Sequence, residues 1–240
     1  VATLNILDDG SLGDCGARLK HEGGSVDPKR QTGPHAHSIN LTPDGSRAVV
    51  ADLGTDKVVV YRFDPDDGSL IPNDPPWVKV DPGSGPRHLA FHPDGNRVYL
   101  LNEMFATVTT FSYERANGAL DRLQTISMLP DGYVGINSAA EIVVHPSGKF
   151  VYASNRGHDS IAIFAVQPDD GILVALGREA SGGQEPRNFV IDQSGRFLFS
   201  ANQNSDNVVV FRIEDDGRLT RTTMEVVVPK PVCIRFLAMV

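Results

Sequence analysis

Histidine, arginine and glutamate recur in this sequence at places that an internal repeat makes equivalent. Position by position, at the start of the first strand of each repeat, stand His37, Arg87, Ala140 and Arg187, followed by Ser38, His88, Glu141 and Asn188. At the end of the second strand stand Asp52, Asn102-Glu103, Asn155-Arg156 and Asn202-Gln203. Glu103 and Arg156 occupy one place with opposite charge, a change that a purely structural motif would not make. Arg87 and Arg187 at matched positions, with Arg156 nearby, point to an anion site, because a guanidinium presents paired donors to oxyanions. A neutral imidazole is suited to act as base or donor. His35 and His37 lie two apart and project to one side of an extended strand. Together with Asp52 they form a metal-site alternative, but no third histidine and no further carboxylate stands at a recognisable spacing, and the expected site holds no metal or cofactor. There is no GxSxG elbow, and Ser38 and Ser154 have no evident triad, so no covalent nucleophile is expected.

The elements that position these groups come from the repeat. Gly45, Gly95, Gly148 and Gly195 each close a first turn, and an Asp or Asn follows seven residues later every time. That recurring Asp or Asn reads as structural, because a short polar side chain can hydrogen-bond the backbone of its own turn. His92 and His145, each just before a turn proline, read as structural residues of the opposite side. Gly68, Gly118, Gly171 and Gly217 close a second turn 22 or 23 residues after the first. Each copy reads as four short strands, over about 34–80, 86–130, 139–180 and 186–228. Such repetition predicts an all-β chain, a β-propeller of four-stranded antiparallel blades around a channel. Residues 1–25 match the second half of a copy, and 231–240, PVCIRFLAMV, a lone first strand. The expectation is four full blades and parts of others in a single domain over 1–240, the C-terminal part of a larger ring. Antiparallel order puts the b–c and d–a connections on one side of the disc, so the charged residues above share a face. The long polar loop at 15–33 is of a kind that tends to be functional.

Composition narrows the class. With 22 Lys and Arg against 30 Asp and Glu, the net charge is −8, which argues against nucleic acid. No run of about 18 apolar residues is present and no signal-peptide order opens the chain, so no membrane span and a cytoplasmic location are expected. Cys15 and Cys233 lack metal or redox spacing and are expected to be buried thiols. Asn40-Leu41-Thr42 fits a glycosylation sequon by accident.

The ordered set PHAH (34–37), ADLG (51–54), GPRH (85–88), LNE (101–103), AAE (139–141), SNRG (154–157), PRNF (186–189) and PVCIRF (231–236) resembles the lactonase family of seven-bladed β-propellers. That family contains 6-phosphogluconolactonases and 3-carboxy-cis,cis-muconate cyclases. The resemblance implies seven blades, so that about a third of a typical member is not represented. It also implies a site of a histidine, arginines and a glutamate at the channel mouth, corresponding to His37, Arg87, Glu103 and Arg156. His35, His88, Glu141, Arg187 and Asn188 are the expected substrate-binding residues around them, and the choice between His35 and His37 stays open. The implied activity is hydrolysis of a small anionic lactone, most simply 6-phosphogluconolactone, with His37 or Glu103 taking a proton from water and Arg87 or Arg156 holding the carbonyl oxygen. The alternatives are a muconate-lactonising cyclase and a non-catalytic binding propeller.

Overall fold

A turn chemistry shared by all four copies builds the blades. In the first, the Gly45 amide donates to the Thr42 carbonyl (2.8 Å) and the Thr42 amide to the Arg47 carbonyl (2.9 Å), with Asp44 capping the Ser46 amide. Gly45 has φ of 71°, and Gly95, Gly148 and Gly195 lie within a few degrees of it, a conformation that favours glycine. The computed structural model describes residues 1–237.

Eighteen strands form among these residues. β1 (Ala2–Ile6) and β2 (Leu12–Arg18) pair as a two-stranded sheet. Blade I holds β3 (Ala36–Leu41), β4 (Arg47–Asp52), β5 (Lys57–Phe63) and β6 (Leu70–Lys79). Blade II holds β7 (Pro86–Phe91), β8 (Arg97–Asn102), β9 (Thr107–Glu114) and β10 (Ala119–Ser127). Blade III holds β11 (Ser138–Val144), β12 (Phe150–Arg156), β13 (Ser160–Val166) and β14 (Leu173–Ala180). Blade IV holds β15 (Pro186–Ile191), β16 (Phe197–Asn202), β17 (Asn207–Ile213) and β18 (Leu219–Val227). All pairings are antiparallel between sequence neighbours, and the first strands β3, β7, β11 and β15 lie side by side in that order. This is a β-propeller, with the first strand of each blade innermost.

Blades I, II and III are buried on both faces, which explains why second strands such as RAVVAD and RVYLLN read as continuous apolar runs. Val49 and Ala51 face blade II, in a core shared with Leu89, Val98, Leu100 and Phe111, while Ala48 and Val50 face β1 and β2 through Val1, Ala17 and Leu19. Burying each such valine or leucine contributes about 1.5–3 kcal/mol over its exposed state. Polar ties lock neighbours in register. The Tyr99 and Tyr152 hydroxyls donate to the Gly171 and Gly217 carbonyls of the next blade, at 3.0 and 2.7 Å. His92 and His145 reach the Gly148 and Gly195 carbonyls, at 3.0 and 2.8 Å, so both serve the interblade seam on the side expected for them.

Two expectations are corrected. Cys15 and Cys233 are exposed rather than buried. Cys15 lies on β2, whose sheet has only two strands, so its outer side is uncovered. Residues 231–237 form no strand, because no further strand is present among the described residues for them to pair with. They rest on blade IV through the Ile234 amide, which donates to Asn188 Oδ1 (2.8 Å), and through Phe236 against Phe199. The rest of that expected strand, 238–240, lies outside the described residues.

Candidate active site

A β-bulge marks the same place in every innermost strand. The pairing runs Ala36↔Asp52 then Ser38↔Ala51, Pro86↔Asn102 then His88↔Leu101, Pro186↔Asn202 then Asn188↔Ala201. His37, Arg87 and Arg187 are therefore the extra residues, released from the ladder and re-aimed. In blade III the shift falls between Ala139 and Ile142, and the freed Glu141 amide donates instead to Ser154 Oγ at 3.0 Å. Directly opposite, β8 and β12 deliver Glu103 and Arg156.

Glu103 is the hub. Its Oε2 accepts from Arg87 Nε at 3.0 Å and lies 3.4 Å from Arg156 Nη2, and its Oε1 accepts from Arg30 Nη2 at 2.8 Å. Arg87 and Arg156 are further fixed by donating to the Ala140 and Ala139 carbonyls. Glu103, Arg87 and Arg156 are all buried. Burial pushes the Glu103 carboxyl up, but the Arg30 hydrogen bond and the charges of Arg156 and Arg87 outweigh it and hold the group below its usual range. Burial, with Arg156 alongside, lowers Arg87 to about 10, which leaves it charged at neutral pH.

Glu141 is a second buried carboxylate, and its oxygens are also engaged. Oε1 accepts from His88 Nδ1 (2.7 Å) and Oε2 from Asn188 Nδ2 (2.5 Å), so it ties blades II, III and IV together. His88 in turn accepts from Arg87 Nη1 at Nε2 (3.0 Å). That fixes its tautomer with the proton on Nδ1. Arg187 is half-buried, near enough to Arg87 and Arg156 for its charge to lower both.

The two candidate histidines separate. His37 is half-buried, 5.2 Å ring to ring from His88, and its buried Nδ1 has no hydrogen-bond partner. Burial, then the charge of Arg87, lower its pKa to about 4, so it is neutral at pH 7. His35 is exposed and stacks behind His37 at 6.1 Å. His37 is thus the histidine that joins the cluster.

Asp52 does not face the cluster with them. Its Oδ1 accepts the His35, Gly54 and Thr55 amides and its Oδ2 lies 2.5 Å from His21 Nδ1. The equivalent Asn155 and Asn202 donate to the Met128 and Ser181 carbonyls at the end of the preceding blade's last strand. An aspartate cannot donate, so in blade I the partner at that place is a donor, His21. Among the described residues no group of three or more His, Cys, Asp or Glu is placed to hold a metal ion. Gly54 lets the chain pass here, since a Cβ would come 2.0 Å from the Gly33 carbonyl oxygen.

Sequence reasoning did not single out Arg30. It comes from the loop joining β2 to β3 of blade I, and its side chain reaches Glu103, just past the end of β8 in blade II. The loop is held by Asp27 Oδ1, which accepts the Lys29 and Arg30 amides at 2.8 and 2.7 Å, and by buried Gln31, which donates to the Leu53 carbonyl. The one signal for it was the length and polarity of that loop. The chemistry available is clear: a neutral imidazole beside a fixed array of guanidinium groups can accept a proton from water while an oxyanion forms.

The chain is similar to known proteins along nearly its whole length. The family description "Lactonase, 7-bladed beta-propeller" matches residues 1–236. A 6-phosphogluconolactonase of Bacillus subtilis is 37% identical over 238 residues, 99% of this chain and 67% of that protein. An uncharacterised protein of Lactococcus lactis is 43% identical over 79% of this chain and 54% of its own length. Among solved structures, the periplasmic gluconolactonase PpgL of Pseudomonas aeruginosa superposes with a TM-score of 0.92 at 38% identity, covering 99% of this chain and 66% of that one. The chain therefore spans between about half and two thirds of the length of these relatives.

Proposed function

The chain belongs to the lactonase family of seven-bladed β-propellers, and from that premise we propose that its channel-mouth cluster hydrolyses a sugar lactone, 6-phosphogluconolactone or a close analogue. The observation that carries the reading is the pairing of a neutral, unpartnered His37 with arginines that Glu103 holds in place. The His37 imidazole takes a proton from water as the water oxygen attacks the lactone carbonyl carbon. Arg87 and Arg156 stabilise the tetrahedral oxyanion, since preorganised donors are worth most where charge develops. The ring C–O bond then breaks, and the imidazolium returns its proton to the departing alkoxide. A pKa near 4 makes a weak base in the empty site. An anion bound beside Arg87 offsets the positive charge that depresses it, so the imidazole becomes more basic when substrate is present. Glu103, tied to three guanidinium groups, acts as the positioning residue rather than the base.

The 6-phosphogluconolactonase and gluconolactonase names of the two relatives support the lactone class for this chain. The test is proton release at constant pH from 6-phosphogluconolactone. A rate well above spontaneous opening is expected, and a rate indistinguishable from it would sink the proposal. Consumption of a carboxylated muconate by the same preparation would favour the lactonising reaction, for which the same arginines would hold carboxylates.

A further inference from the structure

We propose that Arg30 is the residue that selects lactones bearing a separate anionic group: it leaves Glu103 to bind that group when the substrate enters. This rests on the lactonase reading above and names the substrate class. Three arginines meet at Glu103, and they are not equivalent. The Arg87 and Arg156 side chains are 3% and 9% exposed, and each also donates to a backbone carbonyl. The Arg30 side chain is 46% exposed and its hydrogen bond is to Glu103 Oε1 alone. Glu103 is buried, but the Arg30 end of the pair is open to solvent, so of the three guanidinium groups Arg30 is the one with room to turn toward another oxyanion.

The root of the arm is held while its tip is free. Asp27 caps the Arg30 amide, the Gln31 amide donates back to the Asp27 carbonyl at 3.0 Å, and the Ser25 amide donates to the Gln31 carbonyl at 2.9 Å. Arg30 therefore moves by side-chain rotation about an ordered backbone. The charge balance favours the exchange. Arg30, Arg87, Arg156 and Arg187 meet two buried carboxylates, Glu103 and Glu141, with the Glu185 charge also felt at Arg156, and Glu141 is occupied by His88 and Asn188. An incoming phosphate or carboxylate is a better partner for a guanidinium than a carboxylate already shared by two others, because it offers oxygens for a paired contact.

The experiment compares wild-type protein with Arg30→Gln and Arg30→Lys on phosphorylated and unphosphorylated gluconolactone. Arg30→Gln should lose about 10- to 100-fold in kcat/KM on the phosphorylated lactone, mostly through KM, the scale of one charged hydrogen-bonding partner. The loss on the neutral lactone should be smaller by at least about tenfold, and Arg30→Lys should restore only part of the difference. Equal losses on the two lactones would overturn the proposal, as would no loss on the phosphorylated one. Calorimetry with 6-phosphogluconate separates this inference from the lactonase reading. If neither lactone is hydrolysed, about tenfold weaker binding by Arg30→Gln still supports the arm, whereas equal affinity, or no binding by wild-type protein, overturns it.

Discussion

At Glu103 and His37 the surroundings lower the pKa of both titrating groups, which leaves one ionised and the other neutral. Glu103 is surrounded by cations and stays ionised despite burial. His37 is surrounded by burial and positive charge and stays neutral, with Glu103 only partly offsetting them. The pH consequence follows by linkage. Between about 6.5, the ordinary histidine value, and the folded value of about 4, the unfolded chain binds a proton that the native His37 refuses. The stability associated with His37 is therefore present above that window and is lost as pH falls through it. His37→Gln should flatten the fall of the thermal midpoint between pH 6.5 and 4.5, and equal slopes for variant and wild type would contradict a depressed His37. Half-burial screens the effect, so the comparison of slopes matters more than its absolute size.

The elements explain why such a site is reproducible around a ring. A bulge at one register position of every first strand frees the side chains that do chemistry, and a latch at the end of every second strand holds the corner beside them. Asn202→Ala removes a donor to the Ser181 carbonyl in a fully buried corner. It should destabilise the protein by about 1–3 kcal/mol while lactone turnover stays at the wild-type level; an unchanged thermal midpoint would show that the latch is dispensable. This level also marks how far the sequence could be read. Constant glycine spacings disclosed the blades, and the shared side of the b–c and d–a corners placed Arg87, Glu103 and Arg156 together. The bulge was not legible, because strict alternation would simply send residues 37 and 38 to opposite faces. Arg30 was hidden for another reason: a long loop has no period to say where it lands, and Asp27 and Gln31 settle that only through tertiary contacts. The exposure of Cys15 and the irregular course of 231–237 depend on which strands are present beside them, which residue type does not disclose.

At the scale of the whole molecule, an acidic chain of net charge −8 gathers four arginines at one end of a channel. Against that acidic background these arginines set the proposed lactone site apart. Family membership and the likeness to PpgL place this chain in a seven-bladed architecture, of which four blades and a two-stranded sheet are described here. The described blades supply His37 (blade I), Arg87 and Glu103 (blade II) and Arg156 (blade III), and the loop between β2 and β3 adds Arg30. The most direct measurement is turnover of phosphorylated gluconolactone by Arg87→Ala beside Arg97→Ala, an arginine paired with Asp94 in the a–b turn of the opposite face, each confirmed folded by its thermal midpoint. Loss of an oxyanion donor predicts a fall of about a hundredfold or more for Arg87→Ala with Arg97→Ala close to wild type; wild-type turnover by Arg87→Ala would contradict the site.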